Sequence, residues 1–135
     1  MKKIVLFSFA FFMLIPAAFS GGIHPIDKAE KKCIDETSST SVMLKCTTTA
    51  QNAWQKEIDT NIKLLKKVMP KDKYSALTKS QNDWEKFQKS EFGLINSIFE
   101  QKQGTMYINV SSGFRREIVK QRALDLKQYY DAFME

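Results

Sequence analysis

One stretch decides the predicted fold, residues 77–99, whose sequence reads LTKSQNDWEKFQKSEFGLINSIF. Its apolar side chains, among them Leu77 and Trp84, recur every three or four residues, as in an amphipathic helix with one buried face. Gln81 and Glu91 interrupt this apolar stripe, and a buried amide or carboxylate needs a hydrogen-bonding partner. We therefore predict that this helix is the central element of the fold and that a neighbouring helix supplies its polar partners.

Residues 1–20 have the pattern of a secretory signal peptide. Two lysines precede a short apolar run, and small residues stand at Ala18 and Ser20. We predict cleavage after Ser20, which leaves one domain of residues 21–135 in the periplasm or outside the cell, without a stable membrane anchor. A retained anchor is the alternative, although the apolar run is short for a bilayer span. Loss of the two lysines lowers the net charge from +6 to +4.

Composition and periodicity both predict an all-α domain. The chain has only 5 glycines and 3 prolines, and no long run alternates apolar with polar residues. We predict a small antiparallel bundle of one short and three longer helices, covering residues 27–36, 42–69, 73–103 and 114–133. The intervening residues 105–113 are predicted to form a loop that packs back onto the bundle, with a short strand as the alternative.

The chain contains two cysteines, Cys33 and Cys46. Export takes them into an oxidising compartment, where an even number of cysteines favours a disulfide. The loop that it closes has about a dozen residues, for which chain-entropy arguments give roughly 3 kcal/mol of stabilisation. Two free buried thiols are the alternative. We predict that this single disulfide staples the bundle.

A polar seam is predicted inside the bundle. Arg122 lies in the middle of the apolar face of the last helix, as Glu91 does in the preceding one. An arginine fork on a carboxylate is the ion-pair geometry best suited to burial, so we predict a contact between the two. Gln81 and Asn61 are expected to extend this seam. The alternative is that Arg122 extends along its aliphatic stem to reach water.

The sequence lacks the parts that catalysis requires. Its single histidine, His24, falls in what we predict to be a loose leader, so no Ser-His or Cys-His pair is built into the fold. There is no clustered metal-ligand motif and no glycine-rich phosphate loop. Glu91 has no second acid or nucleophile beside it. We predict a protein that is not an enzyme and that uses neither a cofactor nor a metal.

Two surfaces are candidates for binding a partner. One is the turn between the second and third helices, where lysines crowd together at Lys63, Lys66, Lys67, Lys71 and Lys73. It could meet an anionic envelope polymer, although lysines at a helix C-terminus also form ordinary solvated turns. The other is the predicted loop, with Thr105 and Tyr107. An exported protein is not expected to bind nucleic acid, and the sequence does not indicate an oligomeric state.

The mature chain, from about Lys32 to Tyr129, resembles the family of lysozyme-inhibitor LprI N-terminal-like domains. The resemblance rests on an ordered set of features, which are Cys33-x12-Cys46, Asp59-Thr60-Asn61, Gln81-x-x-Trp84-x-x-Phe87, Glu91, Gly104-Thr105 and Arg122-x-x-x-Leu126. The resemblance implies a helical envelope protein, and a lipoprotein member of the family binds lysozyme.

The chain departs from the family pattern at several positions. Members commonly carry four cysteines, and the third and fourth fall at Phe92 and near Phe114 of this chain. We predict that these two phenylalanines lie close together, so that an apolar contact replaces a second disulfide. The usual Arg-Asp after the aromatic motif reads Gln88-Lys89, and a usual Leu-Asn reads Thr60-Asn61. The chain is therefore a divergent relative.

Two hypotheses about function follow. The first is a non-catalytic envelope protein that binds a protein partner, with lysozyme as the candidate that the resemblance implies. The second is a periplasmic protein that binds an anionic polymer or ligand through its lysines. Host lysozymes are typically basic, as this chain is, and like charge slows encounter unless an acidic patch faces the partner. A continuous acidic or apolar patch would favour the first hypothesis, and a continuous basic patch would favour the second.

Overall fold

The computed structural model describes residues 22–135, and the predicted signal peptide lies outside them. Helix α1 covers Pro25–Asp35, α2 covers Thr40–Val68, α3 covers Tyr74–Phe99 and α4 covers Thr105–Met134. A short 3₁₀ turn, Lys71–Lys73, joins α2 to α3. Within the described residues there is no strand. The predicted all-α bundle of one short and three longer helices is confirmed.

Local chemistry explains where the helices begin and end. The His24 side chain caps α1, since its Nδ1 accepts a hydrogen bond from the Ile26 backbone N–H at 3.3 Å. The second helix was predicted to end at residue 69, and α2 ends at Val68, because Pro70 cannot continue a helix. Gly104 has a φ of 106°, a left-handed conformation that favours glycine. This glycine lets the chain reverse between α3 and α4.

The largest difference from prediction is at the start of α4. Residues 105–113, predicted to be a loop or a short strand, form the first turns of α4 instead. The prediction treated Gly113 as a helix boundary, but an isolated glycine is tolerated inside a helix at modest cost. Ser111 adapts to the helix by donating its hydroxyl to the Ile108 carbonyl at 2.9 Å. Thr105 and Tyr107 are therefore helical residues.

Helices α2 and α4 form the centre of the bundle. Trp54 and Ile58 of α2 pack with Val119 and Leu126 of α4, and these four side chains are the largest that are fully buried. The hydrogen bond from Asn61 to the Ala123 carbonyl and the proximity of Trp54 to Lys120 show that α2 and α4 run parallel. Burial of aromatic and branched side chains is the main stabilising contribution at this contact.

Helix α3 is not the central element that the sequence led us to predict. Its extensive contact is with α4, to which it runs antiparallel, and only Leu77, Gln81 and Ile95 are buried along its length. Trp84 is half-buried and Phe87 is exposed. The periodic apolar residues of α3 do lie along one side of the helix, as predicted. Only some of them contact another helix.

Helix α1 packs antiparallel beside α2 and α4, as its contacts from His24 to Cys33 show. The predicted disulfide between Cys33 and Cys46 is confirmed, and it joins α1 to α2. The bundle is thus stapled covalently at this contact. The part of the chain from residue 22 to 135 contains no helix that is both long enough and apolar enough to cross a membrane.

Candidate functional site

Three of the four residues of the predicted polar seam are buried. Asn61 donates its side-chain amide to the Ala123 carbonyl at 3.1 Å. Arg122 donates from Nε to Gln81 Oε1 at 3.2 Å and from Nη2 to Ser80 Oγ at 3.2 Å. Asn61, Gln81 and Arg122 therefore link α2, α3 and α4 through neutral hydrogen-bond partners.

The predicted ion pair between Glu91 and Arg122 is not formed. Glu91 is half-buried, and no carboxylate lies within 4.0 Å of the Arg122 guanidinium among the described residues. The reason is the register between two antiparallel helices. Arg115 hydrogen-bonds Asn96 while Arg122 hydrogen-bonds Gln81, which places Glu91 between these two levels. The apolar period of each helix does not specify that register.

The same register separates the two phenylalanines that were predicted to meet. The Phe114 ring packs against Phe99, with ring centroids 5.8 Å apart. The Phe92 ring lies against Arg115 instead, whose guanidinium carbon is 6.0 Å from the ring centroid. Among the described residues no ring contact joins Phe92 to Phe114. The predicted apolar replacement for a second disulfide is therefore wrong.

The lysine turn projects into solvent. All five of its lysines are exposed, namely Lys63, Lys66, Lys67, Lys71 and Lys73. Only Lys73 of these approaches an acid, with its ammonium 3.4 Å from Asp72. The Tyr74 hydroxyl donates to the Lys66 carbonyl and ties the start of α3 to the end of α2. The turn is thus a fixed projection with a strongly positive surface.

An ion-pair cluster between α1 and α4 was missed by the sequence analysis. Asp27 accepts from the Lys120 ammonium at 2.6 Å, and the Glu30 carboxylate lies 3.3 Å from Arg116. Burial raises the pKa of the Glu30 carboxyl above its ordinary value, and the Arg116 guanidinium opposes that change. The two acids are three residues apart and so share one face of α1, and the two bases are four residues apart and so share one face of α4. This spacing was the signal from which the cluster could have been predicted.

His24 also differs from prediction, because it is not in a loose leader. Its ring lies 4.3 Å from the Trp54 ring, between centroids, and it caps α1 as described above. The Lys120 ammonium lies 5.7 Å from the Trp54 ring, a cation–π distance. His24 therefore helps to fix α1 against the core. Among residues 22–135 there is no group of three potential metal ligands.

A groove of about 510 Å³ runs between α3 and α4, and we call it the α3–α4 groove. Its lining combines aromatic, aliphatic and charged side chains, chiefly Trp84, Phe87, Glu91, Phe114, Ile118, Arg122 and Asp125. Three carboxylates line it, because Glu117 joins Glu91 and Asp125. The groove is the place where the buried polar seam meets the surface.

Exposed apolar side chains continue from this groove along both helices. Five of them form what we call the α3–α4 stripe, and their exposed fractions range from 39% to 54%: Phe87, Leu94, Ile98, Val110 and Phe114. Their spacing of four or seven residues places them on one face of each helix. Large apolar surfaces of this kind are unfavourable in water and commonly mark binding sites for proteins.

Comparison with known proteins assigns the family. A model of the family described as "Lysozyme inhibitor LprI" matches residues 33–126, which cover most of the chain, including the disulfide, the polar seam and the α3–α4 groove. The chain therefore belongs to the LprI family of lysozyme inhibitors. No curated protein matches the chain significantly.

A solved structure has the same fold. It is the crystal structure of an uncharacterised protein from Burkholderia thailandensis, which is 33% identical to this chain with a TM-score of 0.76. The match covers 83% of this chain but only 56% of the other protein. The helical bundle is thus shared with a longer protein.

Proposed function

We propose that this chain is an exported, non-catalytic envelope protein that acts by binding a protein partner, and that lysozyme is this partner. The observation that carries the proposal is the α3–α4 stripe, whose five apolar side chains are 39% to 54% exposed. Membership of the LprI family supports lysozyme as the partner. The three carboxylates of the adjoining groove offer a basic enzyme local charge complementarity, although the chain as a whole is positive.

A turbidity assay tests the inhibitor function directly. Purified protein in excess should slow the clearing of a cell-wall suspension by lysozyme, because a bound protein occludes access to the polymer. Unchanged clearing at saturating protein would contradict the proposal.

A pair of substitutions tests the surface. Ile98→Lys places a charge in the α3–α4 stripe and should weaken lysozyme binding by about tenfold or more, since a lysine at a desolvated contact is costly. Val42→Lys is the matched control, because Val42 is also an exposed apolar residue, on α2 and outside the stripe. Equal affinity of the two variants would place the binding surface elsewhere.

The lysine turn supports a second candidate function, the binding of an anionic envelope polymer. Its five lysines are exposed, and four of them have no acid within 4.0 Å in the described chain. Replacing Lys67 and Lys71 by glutamine should then weaken retention on isolated cell-wall polymer and reduce its salt dependence. Lysozyme binding through the α3–α4 stripe should not change in this variant. Retention equal to that of the unmodified protein would exclude the turn as the polymer site.

The location of the protein is part of the proposal. Cleavage after Ser20 and residence in the periplasm or outside the cell follow from the signal-peptide pattern. Mass spectrometry of the protein recovered from the cell envelope should find a chain that begins at Gly21. Recovery of a chain that retains residues 1–20 would contradict cleavage.

A further inference from the structure

Arg122 is a buried cation that forms no ion pair within the described chain, and Asp125 attracts it only from a greater distance. It is 7% exposed, and no carboxylate of the described chain lies within 4.0 Å of its guanidinium, since the nine ion pairs involve other residues. Removing a charge from water without an opposite charge is strongly unfavourable. A structural role alone would be served better by an apolar side chain of similar volume at this position.

The guanidinium is held in one orientation and is only partly satisfied. Nε and Nη2 donate to the neutral oxygens of Gln81 and Ser80. The Trp84 ring lies 5.8 Å from the guanidinium carbon. A guanidinium has five N–H donors in a planar fork that matches a carboxylate. Two donors are therefore used for positioning, and others remain available to a ligand.

The place towards which this cation faces is the α3–α4 groove. Arg122 lines the groove together with Trp84, Phe87 and Phe114, so an entering group would meet apolar walls beside the positive charge. Phe87 and Phe114 are half exposed, at 51% and 54%, and they connect the groove to the α3–α4 stripe. A buried charge beside aromatic walls at the edge of an exposed apolar surface resembles the anchoring pockets of protein interfaces.

We propose that the α3–α4 groove is a carboxylate-binding site, in which Arg122 receives an aspartate or glutamate side chain of the protein partner while Trp84 and Phe114 pack against the adjoining apolar atoms. Only the source of the carboxylate rests on the proposed function. The site itself rests on the burial and the orientation of Arg122 and on the absence of an ion pair to it within the described chain.

The groove's own carboxylates do not occupy this site. Asp125 accepts a hydrogen bond from the Gln121 side chain at 2.8 Å, and Glu117 pairs with Arg116. Glu91 lines the groove without an ion pair to Arg122. All three nevertheless oppose the entry of an anion by like-charge repulsion. Their removal should therefore strengthen binding of a carboxylate, which gives the site a test that leaves the buried seam intact.

The test compares two probes of nearly the same shape, of which only the first is charged, 3-phenylpropionate and 3-phenylpropionamide. Each is titrated into the full chain while tryptophan fluorescence and the NMR signal of the arginine side-chain Nε–H groups are recorded. The carboxylate should bind at least about tenfold more tightly than the amide, because charge-assisted bidentate pairs are much stronger than neutral ones. Equal affinity of the two probes, or no saturable binding of the carboxylate, would overturn the proposal.

Variants assign the effect to Arg122. Arg122→Met should abolish the preference for the carboxylate while retaining the helical circular dichroism of the parent. Arg115→Met is the matched control, since Arg115 is on the same helix but contacts Asn96 and Phe92 outside the groove. If Arg122→Met does not fold, Asp125→Asn provides the test of the site. It should tighten carboxylate binding by about twofold or more, because it removes a like charge from the groove. If the affinity for the carboxylate is the same in both variants as in the parent, the proposed site is refuted.

The outcome for the site is separate from the outcome for lysozyme. A protein that prefers the carboxylate probe but does not slow lysozyme keeps the site and loses the proposed function. Where lysozyme does bind, Arg122→Met should weaken that affinity by about tenfold or more, and Arg115→Met should not. Lysozyme affinity that is unchanged in Arg122→Met would refute the partner's carboxylate as the occupant.

Discussion

Glu30 lies on α1 with its carboxylate facing Arg116, and it is 8% exposed. In sequence it is one of three acids in a short helix, and only its spacing of three from Asp27 indicates a shared face. The position of α4 creates its environment, because desolvation there outweighs the attraction of Arg116 and raises the pKa of the Glu30 carboxyl. The pKa of Glu30 therefore depends on the packing of α1 against α4.

The raised pKa predicts a pH dependence of stability. Glu30 contributes stability fully below its unfolded pKa of about 4.5, and this contribution is lost as the pH rises through the higher folded value. Glu30→Gln cannot ionise, so its free energy of unfolding relative to the parent should increase between about pH 4 and about pH 7. Urea unfolding at the two pH values measures this difference.

Glu100→Gln is the control for that experiment, because Glu100 is exposed and takes no part in an ion pair of the described chain. Its free energy of unfolding should follow the parent at both pH values. A difference for Glu30→Gln that stays constant or decreases with pH would show that burial does not dominate at this position.

At the scale of the helices, two glycines of α3 and of the turn that follows it have different conformational roles. Gly104 has a positive φ, and Gly93 lies inside α3 with open space where a β-carbon would be. The third helix was predicted to run to residue 103, whereas α3 ends at Phe99 and Gly104 provides the turn. The sequence did not predict that α4 begins directly afterwards, because the residues that follow combine β-branched, aromatic and hydroxyl side chains that suit a loop or a strand equally well.

These two glycines predict opposite effects of the same substitution. Gly104→Ala should reduce the free energy of unfolding by about 1 kcal/mol, since alanine is strained at positive φ. Gly93→Ala should increase it by about 0.5–1 kcal/mol, because alanine is the better helix former and meets no neighbour. Chemical denaturation of both variants measures the pair. A stabilising Gly104→Ala would contradict the conformation of the turn between α3 and α4.

At the scale of the whole molecule, the four helices contribute unequally to the core. Helices α2 and α4 bury most of the core side chains, whereas α3 buries three of its residues and α1 buries only Glu30. Regions with few buried apolar contacts open at lower free energy than the core. The bundle is therefore a stable pair of helices, with α1 held to it by the disulfide and α3 held more weakly.

Hydrogen exchange should report this order. Backbone amides of residues 85–99 in α3 should exchange first, and those of residues 54–65 in α2 and 119–126 in α4 should exchange last. Replacing Cys33 and Cys46 by serine should accelerate exchange in α1 selectively, because the disulfide holds that helix to α2. Uniform exchange across the four helices would contradict the unequal distribution of buried contacts.

The sequence alone determined the helical class, the disulfide, the end of α2 before Pro70 and the family resemblance, because helical periodicity, cysteine count and turn chemistry are properties of neighbouring residues. Only the tertiary structure decided that α2 and α4 form the centre, that α3 leaves its stripe exposed, and that Arg122 meets Gln81 rather than Glu91. These outcomes depend on the rotation and register of one helix against another. Both are set by the fit of two whole surfaces, which the periodicity of either helix does not contain.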